Sequence, residues 1–84
     1  MHAVPVPNYA IEVRYGNGTP TLRIPLHDHS PDDAETDLVS VREEIRHARE
    51  IGAPCVIREL TAGPLEEHIE VQVDGAVEVD LVDA

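Results

Sequence analysis

At 84 residues the chain makes one domain, and a domain of that size buries only about 60% of the surface its unfolded form exposes. Seventeen acidic side chains stand against six basic ones, all arginine, and the net charge of −11 repels nucleic acid and anionic membranes while favouring a basic partner. The single cysteine, Cys55, excludes a disulfide framework. No apolar run reaches the ~18 residues that span a bilayer, and the start MHAVPVPNYA lacks the basic region of a signal peptide.

Those features lead us to expect a soluble protein in the cytoplasm, or in a particle assembled there. The absence of Lys and Phe beside abundant Ala, Val, Arg, Gly, Pro and Asp is what a GC-rich coding sequence produces. It accounts for arginine in place of lysine but not for the surplus of acids.

Residues 1–8 read as an extended arm punctuated by Pro5 and Pro7, with Val4 and Val6 placed to lie along a partner. From residue 9 to 84 the pattern is that of a single α+β domain. YAIEVRY alternates, with Tyr9, Ile11, Val13 and Tyr15 on one face of a strand. GNGT is a turn, and PTLRIPL puts Leu22, Ile24 and Leu26 on one face of a second strand. Pairing Val13 with Leu22 and Ile11 with Ile24 brings both apolar sets to one side and predicts a hairpin around Gly16 to Thr19. Pro20 and Pro25 cannot donate to a ladder, which makes this second strand an edge.

The run HDHSPDD (His27–Asp33) admits two readings. Ser30 suits a helix N-cap, Pro31 the first helical position and Asp33 the third, so the right half is a helix start. In an extended strand end, His27 and His29 project to the same side, as two ligands of one metal do, with Asp32, Asp33 or His68 as a third. The spacing resembles the His-x-His-x-Asp-His of metallo-β-lactamase-like hydrolases. The aspartate is displaced, however, the last histidine is missing, and that fold needs a much longer chain. No cofactor is expected, and a metal at His27, His29 and Asp32 is the outlying alternative.

Ala34, Leu38, Val41, Ile45 and Ala48 recur at spacings of four and three, which predicts a helix over about 31–51 with one apolar stripe. Gly52 and Pro54 end it. Arg42, Arg46 and Arg49 form a second stripe on the flank of the first. Their stems lie over the core margin with heads paired to acidic residues, or they form a docking site for an anionic partner surface.

CVIREL is a short strand, apolar on both faces at first and so expected at the centre of the sheet, in which Cys55 reads as a small buried hydrophobe. HIEVQVDGAVEVDLV is expected to form a second hairpin, with Val73 opposite Val77 and Val71 opposite Val79 around Asp74-Gly75-Ala76. Its acids, Glu66, Glu67, Glu70, Asp74, Glu78 and Asp80, fall mostly opposite the valines. Of these, Glu70, Glu78 and Asp80 are candidate partner contacts.

The element order β-β-α-β-β-β describes a mostly antiparallel sheet with one helix packed on one face. Its ββαβ opening resembles the order of β-grasp folds, but the ending Val82-Asp83-Ala84 lacks the glycine tail of a conjugated modifier. The sequence carries no Gly-rich phosphate loop, Ser-His-Asp order, Cys-His pair or basic-aromatic patch. We therefore expect a non-enzymatic protein-interaction module that binds a protein partner or itself, and neither nucleic acid nor membrane. Two roles fit: a structural or adaptor subunit of a larger assembly such as a virion, or an acidic inhibitor of the antitoxin, immunity or anti-restriction type that occupies a basic site.

Overall fold

The first alternating stretch forms β1 (Tyr9–Tyr15), and the apolar triad after it forms β2 (Leu22–Leu26). They pair antiparallel in the predicted register, Ile11 opposite Ile24 and Val13 opposite Leu22. The structure, a computed structural model, describes residues 7–84 apart from the side chain of Val77. The arm residues Val4 and Val6 lie outside the described residues. The connection runs from residue 16 to 21, longer than the sequence pattern implies, because Pro20 stays outside the strand. β2 is an edge strand among the described residues, as Pro25 requires.

The helix α1 (Pro31–Ile51) begins where the cap chemistry places it. Ser30 accepts from the Asp33 N–H at 3.1 Å, and Pro31 occupies the first turn. At the other end Gly52 takes a left-handed conformation (φ 66°). The Ala53 N–H then reaches back to the Ala48 carbonyl at 2.9 Å, the closing bond of a Schellman motif. All five stripe residues are buried, and Asp37 is buried beside them.

After the helix come β3 (Cys55–Leu60), β4 (Gly63–Val71) and β5 (Ala76–Asp83), which completes the α+β order β-β-α-β-β-β. The pairing of the last three departs from the sequence expectation. β4 pairs with β3 across a turn at Thr61-Ala62, and β5 pairs antiparallel with β1. There are two sheets among the described residues, β2-β1-β5 and β3-β4, rather than one sheet closed by a β4–β5 hairpin. Val13 opposes Val79 and Ile11 opposes Leu81. The open side of β1 thus outcompetes the nearer partner, β4, for β5.

Val73 to Ala76 still forms the tight turn that Asp74-Gly75 encodes, with Gly75 at φ 76°, but the strands on either side of it diverge into different sheets. A one-residue irregularity does exist, between Arg14 and Tyr15 of β1, where β5 holds the extra residue 77. β3 is not central, since its only strand partner is β4. Its second apolar face has another cause: Val56 shares a shallow cleft with Ile51 and Pro54 at the end of the helix.

The core lies between the inner face of the three-stranded sheet, the helix stripe and the inner face of β3-β4. Ile11, Val13, Ile24, Leu26, Val41 and Ile57 are fully excluded from solvent. Each contributes roughly 1.5–3 kcal/mol by its burial, and no disulfide supplements them.

Candidate functional site

β2 stops at Leu26, and Asp28 adopts a left-handed conformation (φ 54°), the positive-φ setting that aspartate tolerates in turns. This turn breaks the extended geometry that would set His27 and His29 side by side. The His27 side chain stays exposed while His29 swings into the interior.

There the His29 Nδ1 sits 2.7 Å from the His27 carbonyl oxygen, and Nε2 sits 2.7 Å from Asp37 Oδ2. The other carboxylate oxygen, Asp37 Oδ1, accepts from the Thr61 N–H at 2.9 Å and from the Thr61 hydroxyl. The His29 and Asp37 side chains are 3% and 4% exposed, so the contact between them lies away from water, while the bonds to Thr61 and to the His27 carbonyl are only partly buried. One polar network thereby joins the β2–α1 turn, the helix and the β3–β4 turn.

Its chemistry is structural. Thr61 donates to the carboxylate rather than to the imidazole, and both ring nitrogens are engaged, so no base is aimed at a nucleophile. Among the described residues no three His, Cys, Asp or Glu side chains converge as metal ligands would, and Asp32 is exposed on the first helical turn. Sequence reasoning missed Asp37 and Thr61. A signal for Asp37 was present, since it lies three residues after Ala34 and four before Val41, inside the apolar stripe.

The arginine flank divides. Arg42 donates from Nε (2.9 Å) and Nη2 (2.6 Å) to the Val79 carbonyl, and its Nη2 lies 3.5 Å from Asp80. Arg49 donates to the Ala76 carbonyl at 3.0 Å and, more weakly, to that of Val73. These two heads bond backbone carbonyls at the edge of β5 rather than the acidic side chains with which the sequence reading paired them, apart from the approach of Arg42 to Asp80. Arg46 points away and pairs with Glu43 and with Glu50 at 3.0 Å on its own helix.

The candidate acids divide as well. Glu78 and Asp80 lie on the outer face of the three-stranded sheet, where both meet Arg14. Arg14 also lies 3.8 Å from Glu12, which Arg23 approaches at 3.4 Å. Glu70 sits instead on β4 opposite Val56, in the other sheet, so the three do not form one face. The split follows directly from the pairing of β5 with β1.

A cleft of 510 Å³ runs between the helix and the end of β3 and is lined by Asp37, Glu43, Glu44 and Glu59 among others. Burial, and secondly repulsion from Glu59, pushes the Glu44 carboxyl above its ordinary range. Below it, burial and then the Glu44 charge push the Cys55 thiol up. Burial also raises the Tyr15 phenol, against an opposing hydrogen bond with the Gln72 backbone. The shifts of Cys55 and Tyr15 both favour the neutral form of the group.

No helix among the described residues is long and apolar enough to cross a membrane. Compared with protein-family models, with curated proteins and with solved structures, the chain matches none.

Proposed function

We propose that the chain is a non-enzymatic protein-interaction module that serves as a structural or adaptor subunit of a larger assembly, in the cytoplasm or in a particle built there. The observation that carries this reading is the outer face of the β2-β1-β5 sheet. Arg14 and Arg23 interleave there with Glu12, Glu78 and Asp80, and Arg42 reaches Asp80 from the helix. A sheet face of alternating, mutually neutralised charges suits a protein surface with a matching alternation better than it suits a uniformly basic groove. The consumption of the buried polar groups by the fold supports the non-catalytic side of the proposal. Among the described residues no buried side-chain nitrogen or oxygen lacks a hydrogen-bond partner.

A second reading, the acidic inhibitor, draws on the net charge of −11 and on the exposed Glu66, Glu67 and Glu70 of β4, which stand outside that ionic network. Affinity capture from a native lysate, washed at low and at high salt, tests the two. Recovery with copies of itself or with structural subunits at low salt, lost on reversal of Glu78 and Asp80 to Lys, is the expected result. A single stoichiometric basic partner released by salt, and lost instead on reversal of Glu66, Glu67 and Glu70, would replace the subunit reading with the inhibitor.

A further inference from the structure

Both ring nitrogens of His29 face acceptors: a backbone carbonyl at Nδ1 and a carboxylate oxygen at Nε2, each at 2.7 Å. A neutral imidazole carries one N–H and one lone pair, so it satisfies only one of the two contacts and sets the lone pair against an oxygen at the other. The arrangement is satisfied in full only when Nδ1 carries a proton and a second proton lies between Nε2 and Asp37 Oδ2. Asp37 Oδ1 accepts two bonds from Thr61 in either state of the carboxyl, and imidazole is the more basic of the two groups, so that second proton is assigned to the nitrogen.

We infer that His29 and Asp37 form a proton-dependent latch. One proton held between Nε2 and Oδ2 fastens the β2–α1 turn to the helix, and through Asp37 it fastens the helix to the turn at Thr61. Loss of that proton leaves a bare ring nitrogen against a carboxylate oxygen inside the core, and the latch opens between the β2–α1 turn and the helix. The neighbouring titratable groups are His27 and Asp28 on the same turn, Asp33 on the helix, and Glu43, Glu44 and Glu59 along the cleft that Asp37 and Thr61 also line.

Nitrogen-15 NMR of the histidine rings, together with the Thr61 amide resonance, tests the latch on the full chain. Near neutral pH both His29 nitrogens should resonate as protonated. On alkaline titration one should lose its proton, with the Thr61 amide shifting at the same midpoint. In Asp37→Asn the side-chain amide can donate to Nε2 while its oxygen still accepts from Thr61. His29 should then show a single protonated nitrogen near neutral pH, and the pH response of Thr61 should disappear. A bare ring nitrogen in the native wild-type protein near neutral pH, or a Thr61 amide unmoved through the His29 titration, would overturn the inference. The wild-type titration decides the matter even where Asp37→Asn does not fold.

Discussion

Arg42 places two N–H donors on the carbonyl oxygen of Val79, at 2.9 and 2.6 Å, so the helix covers an edge of the sheet that no strand pairs. A charged donor to a backbone carbonyl contributes about 1.5–3 kcal/mol when shielded. The Arg42 side chain is 49% exposed, and solvent screening reduces that contribution. Arg42→Gln should therefore lower stability by about 1 kcal/mol in urea denaturation. Arg46→Gln, whose partners are exposed glutamates of its own helix, should leave the midpoint unchanged.

Gly75 holds φ 76° in the turn after β4, and a Cβ built there would land on the side-chain amide of Asn17. That amide donates to the Asp74 carbonyl at 3.3 Å and accepts from the Thr19 N–H at 3.1 Å, which ties the β1–β2 loop to this turn. Gly75→Ala should cost about 1–2 kcal/mol for the left-handed backbone alone. It should also displace Asn17, seen as shifted Asn17 and Thr19 resonances. Gly52→Ala, with open space around its Cβ, should show the backbone cost without any neighbour moving.

Glu44 and Cys55 form a second testable pair. The buried thiol, raised further by the Glu44 charge, should react with iodoacetamide more slowly in the folded protein than a free cysteine does at the same pH. Glu44→Gln should speed that reaction without unfolding the chain.

The carboxyl of Glu44 is itself raised in the fold, so over the window above its ordinary range the folded state binds more protons than the unfolded one. Its contribution to stability is therefore gained as pH falls into that window and lost as pH rises through it. Thermal melts across mildly acidic pH should show this slope in the wild type and a flatter one in Glu44→Gln. The difference should be about a few tenths of a kcal/mol, since the group is largely solvated.

Ile57 is fully excluded from solvent and faces the core from the two-stranded sheet. Ile57→Ala should cost about 2–5 kcal/mol by lost transfer and cavity terms, a large share of what a small domain holds. Val39 and Ile51 are 55% and 61% exposed on the helix, and substitution of either by Ser should leave the melting temperature nearly unchanged.

Local features were legible in the sequence and non-local choices were not. The register of Ile11 with Ile24, the Ser30 cap, the helix stripe and the Gly52 terminus all follow from periodicity or from residue chemistry within a few positions. The partner of β5 does not. Val77, Val79 and Leu81 satisfy the same-face rule equally well against 69, 71 and 73 or against 9, 11 and 13. The choice is made by the apolar strand that β2 leaves half covered. The place of Arg42 and Arg49 was readable as flank arginines over a core margin. The carbonyls they cap became identifiable only once β5 had its place. His29 was misread because the αL turn at Asp28 depends on tertiary context, and Asp37 because a polar residue inside an apolar stripe means nothing until its partners are known.

The pairing of Tyr9 with Asp83, and the bond from the Ala84 N–H to the Asn8 carbonyl at 3.2 Å, set the first of the five described strands beside the fifth. On the ribosome, β1 and β2 can zip as soon as they emerge, but the flank of β1 that Val79 and Leu81 cover stays bare until β5 clears the exit tunnel. Closing that long loop is the most entropically demanding contact in the fold. Until it closes, the nascent chain exposes an unpaired apolar strand, and in that interval it is most open to chaperones and to pairing with a neighbouring copy.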